Sequence, residues 1–66
     1  MHVTVNGEKL ELAVGASLLD LLAQLGKDPA HVAVEHNGEV LDTAGMASAV
    51  LREHDRLELV HFVGGG

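Results

Sequence analysis

One stripe of helical periodicity, set among runs that alternate with period two, most constrains the fold of this chain. Leu18, Leu21, Leu22 and Leu25 fall at i, i+3, i+4 and i+7 and mark one apolar helix face. Ser17 suits the N-cap, Asp20 sits at the positive end of the helix dipole, and Gly26 can take the left-handed conformation that ends a helix. With 66 residues there is room for one compact domain. A domain this small buries only about 60% of its unfolded surface, so its core must be dense in aliphatic side chains. A lone long helix then has one use, which is to cover one face of a sheet.

The strands come from the alternating runs. Val3 and Val5, then Leu10, Leu12 and Val14, share one face of residues 2–14, and Asn6-Gly7 between them is a strong hairpin signal. After Asp28-Pro29, the residues Val32, Val34 and His36 face one way and Ala33 and Glu35 the other, closed by a second turn signal, Asn37-Gly38. A short strand at Val40 and Leu41 follows. Met46, Ala47, Val50 and Leu51 predict a short second helix, and the polar string 52–56 predicts a turn. The last strand, Leu57 to Val63, is apolar on both faces, with Leu57, Leu59 and Val63 on one side and Val60 and Phe62 on the other. Such a strand belongs in the middle of a sheet. Placing it beside strand 1 gives an α+β β-grasp fold: a mixed sheet of four to five strands on one long helix, with a short second helix. A single β-grasp domain over 1–63 is expected, followed by a flexible glycine tail at 64–66.

Composition narrows the function classes. Ten acidic residues against four basic ones give a net charge of −6 with no basic cluster, which disfavours nucleic acid and anionic membranes and favours a partner with a basic face. Phe62 is the only aromatic residue, so there is no base-stacking platform. Without cysteine, neither a disulfide framework nor a thiolate metal site can staple the fold. The absence of a signal-like N-terminus and of any apolar run of about 20 residues leads us to expect a cytoplasmic protein.

The sequence closes on Gly64-Gly65-Gly66, directly after Val63. Glycine lacks a Cβ, so such a tail is thin enough to thread into a narrow active site. A carboxylate at Gly66, with an ordinary pKa of about 3.5, is inert when ionised. Conversion to an acyl-adenylate would make it a strong acylating agent, and attack by a sulfur donor would leave a thiocarboxylate. Terminal glycines also occur at frayed ends and expression scars, so the tail alone does not decide between the two.

Three segments decide it together. Val32-Ala33-Val34-Glu35-His36-Asn37-Gly38-Glu39-Val40, the run Asp55-Arg56-Leu57-Glu58-Leu59-Val60 and the ending Val63-Gly64-Gly65-Gly66 resemble the thiamine-biosynthesis sulfur carriers of the ThiS family over essentially the whole chain. The resemblance implies a protein co-substrate rather than an enzyme, with no bound cofactor. It implies an E1-like adenylyltransferase of the ThiF type that uses ATP to adenylate Gly66. Sulfur from a cysteine desulfurase route replaces the adenylate, and the thiocarboxylate passes to a thiazole synthase of the ThiG type. Two departures stand out. His54 occupies a turn position where the family typically has glycine, which predicts local strain, and Met46 stands where a bulky aromatic is common.

The remaining residues are weighed against simpler readings. Five histidines invite a metal site, but no HxH or HxxxH pair exists, and His31 and His36 would face opposite sides of one strand. His36 reads as a partly buried residue at a strand end, while His2, His31 and His54 read as solvated. Ser17 is committed to capping, and Glu53 and Asp55 lie in a turn with no apolar pocket to raise a pKa. Val60 and Phe62, with Val63, form the candidate docking patch beside the threading residues Gly64 and Gly65. The alternatives are a molybdopterin-synthase small subunit, whose chains are usually longer, and a non-catalytic β-grasp interaction domain with an incidental tail.

Overall fold

Two Asn-Gly turns build the hairpins at the flanks of the sheet. Asn6 and Gly7 take φ of 49° and 84°, and Asn37 and Gly38 take 51° and 86°; two successive positive values are what a tight hairpin turn of the primed type requires. The computed structural model describes residues 1–63. Its elements are β1 (His2–Val5), β2 (Glu8–Glu11), α1 (Leu18–Gln24), a 3-10 turn (Pro29–His31), β3 (Val32–His36), β4 (Glu39–Val40), α2 (Thr43–Ser48) and β5 (Arg56–His61). The sheet order is β2-β1-β5-β3-β4. The chain's last strand is therefore its central one, parallel to β1 and antiparallel to β3. This is the β-grasp arrangement, a five-stranded mixed sheet grasping one principal helix.

The core is aliphatic, as the leucine stripe requires. Leu18, Leu21 and Leu22 of α1 are fully buried against Val3, Val5, Leu12, Val32, Val34, Leu57 and Leu59, with Met46 and Leu51 closing one end. Capping fixes the start of α1: the Ser17 hydroxyl accepts from the Asp20 N–H at 3.0 Å, and the Asp20 carboxylate accepts from the Ser17 N–H at 2.9 Å. Gly26, at φ +70°, ends it.

Several expectations are corrected. The fourth strand is Glu39–Val40, so Leu41 lies past its end, and Leu51 lies beyond the second helix, though buried. Val14 does not extend β2, because the β1–β2 ladder ends at the pair His2–Glu11, and Val14 stands 88% exposed in the following turn. The short helix starts earlier than Met46, since the Asp42 carboxylate caps it by accepting from the Gly45 N–H at 2.7 Å. Val50 lies beyond that helix, exposed, where it bridges to Ser17. The last strand ends at His61 rather than Val63, and Val63, expected on the inner side, is 92% exposed.

Candidate functional site

The strand that precedes the glycine ending, β5, is held on both flanks. On one flank β3 pairs with it through the whole register from His36–Leu57 to Val32–His61. The Phe62 N–H still donates to the His31 carbonyl at 2.9 Å, so alignment with β3 continues one residue past the strand. On the other flank β1 reaches only Thr4–Arg56 and Val5–Leu57. There the Asn6 side chain takes over: its Oδ1 accepts from the Leu59 N–H at 2.7 Å and its Nδ2 donates to the Leu59 carbonyl at 3.1 Å. Asn37 does similar work at the start of β5. Its Oδ1 accepts from the Arg56 N–H at 2.8 Å, and its backbone N–H donates to the Arg56 carbonyl at 2.8 Å. Each hairpin asparagine thus clamps the strand that leads to the glycines.

The turn before β5 is tied down by Asp55, the one buried charged residue among those described, 8% exposed. Its carboxylate accepts from Asn37 Nδ2 at 3.0 Å and from the Arg52 N–H at 2.8 Å, and lies 2.8 Å from His36 Nε2. Burial pushes its pKa up, but these hydrogen bonds more than offset it and hold the carboxyl below its ordinary value. The His2 N–H, donating to Glu53, likewise holds that carboxyl low. A general acid at neutral pH needs the opposite shift, so this turn is a fastening rather than an acid–base pair. His54 within it takes φ +71°, the left-handed region that a glycine enters freely and a histidine enters at a cost.

The outer face of the sheet, away from α1, carries the expected docking residues. Val60 is 63% exposed and pairs in register with Ala33; Phe62 is 42% exposed. Val40 opposes Glu35 on the same face, and a shallow depression runs between Ala33, Val40 and Val60. Glu35 and Glu58 stand directly opposite one another beside it. Gly64, Gly65 and Gly66, expected to thread and react, lie outside the described residues.

The histidines are dispersed over separate elements. His31 belongs to the 3-10 turn, not to a strand with His36. Its ring instead meets His61 edge-on, with centroids 6.4 Å apart, and its Nδ1 lies 3.7 Å from Asp28. His36 is half-buried at the end of β3, as expected. Among the described residues no three histidine or carboxylate side chains converge as metal ligands. Nor is any helix among them long and apolar enough to cross a membrane.

The clamping roles of Asn6 and Asn37 were missed from sequence. Asn-Gly announces a turn, and nothing in the pattern says where the amide will reach.

Comparison with known proteins bears on the whole chain. The ThiS family model matches residues 3–66. A thiazole synthase of Magnetococcus marinus is 42% identical over all 66 residues, and one of Paramagnetospirillum magneticum is 36% identical over the same span. The chain spans 20% of the length of each of these curated relatives. The crystal structure of the thiamine biosynthesis protein ThiS from Geobacter metallireducens superposes with a TM-score of 0.81 at 35% identity, each chain covering all of the other.

Proposed function

The chain belongs to the ThiS family, and from that membership we propose that it is a protein co-substrate carrying sulfur for the thiazole moiety of thiamine on the carboxyl group of Gly66. The supporting observation is that the family match runs through the glycine ending, while the fold places the strand leading to it at the centre of the sheet.

In the proposed cycle the Gly66 carboxylate attacks the α-phosphorus of ATP on an E1-like partner, and pyrophosphate leaves. Persulfide sulfur from a cysteine desulfurase route is reduced by a thiol, which leaves as a disulfide with the persulfide carrier; the hydrosulfide so released attacks the acyl carbon and expels AMP, leaving the thiocarboxylate. A thiazole synthase accepts the sulfur, and the carrier returns as a carboxylate. Nothing in this scheme asks the domain for a catalytic side chain. Its contributions are reach, through Gly64 and Gly65, and docking, through Val60, Phe62 and Val63.

Intact-mass analysis tests the carrier role. After incubation with ATP, the adenylating partner and a sulfur source, one oxygen should be exchanged for sulfur, with the change mapping to Gly66. An unchanged mass would sink the reading. The docking patch is tested separately: Phe62→Ala should weaken partner binding by about 1 kcal/mol or more and slow adenylation. Unaltered affinity would remove Phe62 from the interface.

A further inference from the structure

The hydrogen-bond register of β5 leaves one flank open where the tail begins. Residues of an antiparallel pair present their backbone groups to alternate sides. Toward β3 point Arg56, whose carbonyl accepts from Asn37, and Phe62, whose N–H donates to His31. Toward β1 point Leu57, whose carbonyl accepts from the Asn6 N–H at 2.9 Å, and Leu59, both of whose backbone groups are taken by the Asn6 side chain. The next residue on that side is His61. By then β1 has ended and the chain has turned away at Gly7, at φ +84°, to return as β2. Among the described residues nothing pairs with the His61 N–H and carbonyl on this flank. A central strand thus becomes an edge strand at its last residue. Asn6 sets where the change occurs, because its amide occupies the last paired position as a strand residue's peptide group would.

We propose that this exposed edge at His61 is a strand-addition site, where an extended backbone segment of a thiazole synthase pairs with the carrier as the tail enters the active site. The proposal rests on the carrier reading above. The occupant follows from the relatives in which a unit like this chain makes up a fifth of a thiazole synthase, so that carrier and synthase share one polypeptide. Main-chain pairing suits a carrier, since it gives register to a tail whose glycines offer no side chain to recognise.

Amide hydrogen exchange by NMR, on the 66-residue chain with and without the thiazole synthase of the same organism, tests this. In the free chain the Val60 amide, directed at Ala33, should exchange slowly and the His61 amide fast. Saturating synthase should slow His61 at least about tenfold. An ester replacing the Val60–His61 amide removes the outward N–H and weakens the Val60 carbonyl as an acceptor from Ala33, so it should lower the melting temperature slightly and, in chain that remains folded, raise the Kd for the synthase about three- to tenfold. Fast exchange at His61 in the saturated complex, an ester chain that binds normally, or protection by the adenylating enzyme but not by the synthase would each overturn the proposal. The oxygen-for-sulfur exchange is measured without the synthase, so failure here leaves the carrier reading standing.

Discussion

At Asp55, burial and hydrogen bonding pull in opposite directions, and the bonds win. A carboxyl whose folded pKa lies below its unfolded value stabilises the fold fully above the unfolded value and loses that contribution as pH falls through the folded one. Asp55 should therefore support the fold at all pH above its ordinary value of 3.8 and release it below. Asp55→Ala strands the Arg52 N–H, Asn37 and His36 together, and should cost about 2–4 kcal/mol at neutral pH. In thermal melts the gap between native and variant should narrow as pH drops below that value; a constant gap would show that ionisation is not the source. Asn6 combines a conformational demand, φ +49°, with its clamp on Leu59. Asn6→Gly keeps the conformation and should lose about 1–2 kcal/mol with the two hydrogen bonds. Asn6→Ala should lose about 1 kcal/mol more, because alanine is strained there. Equal losses would mean the turn geometry carries no penalty.

Among the elements, α1 has only seven residues, too few to be stable in water alone, so packing rather than propensity holds it. Leu21→Ala, at a fully buried site, should cost about 2–5 kcal/mol. The whole domain is worth roughly 3–10 kcal/mol at this length, so a chemical denaturation curve should show the variant near the edge of folding. This helix was legible in the sequence because its apolar spacing, cap and terminating glycine all agree. The hairpins were legible for the same reason. Val14 was misplaced because alternation continues past the point where β1 supplies a partner, and a pattern within one strand cannot report the length of its neighbour. The start of α2 was missed because Thr43, Ala44 and Gly45 carry no apolar stripe; only the Asp42 cap marks it. At the candidate site, exposure of Val60 and Phe62 could be read from alternation, whereas the amide clamps depend on contacts between distant segments. Glu35 opposite Glu58 adds a feature of the assembled sheet, since like charges directly across a ladder destabilise it. Glu58→Gln should raise stability by about 0.2–1 kcal/mol and slow association with a basic partner; a loss of stability would show that the two carboxylates do not repel.

For the molecule as a whole, the charge of −6 argues that any long-range attraction is to a positive surface. The Debye length shrinks from about 30 Å to 10 Å between 0.01 and 0.1 M salt. If the proposed carrier role holds, association with an adenylating partner, followed by stopped flow, should slow steeply over that range while dissociation changes little; insensitivity to salt would remove long-range charge from recognition. The β-grasp topology also settles how the domain responds to being tugged. Because β5 lies between β1 and β3, a pull on Val63 strains both ladders lengthwise, so their hydrogen bonds resist together instead of opening one at a time. The edge strands β2 and β4 would peel in sequence under the same force. A body anchored this way should stay folded when traction is applied through Val63, mechanically a bolt rather than a zipper.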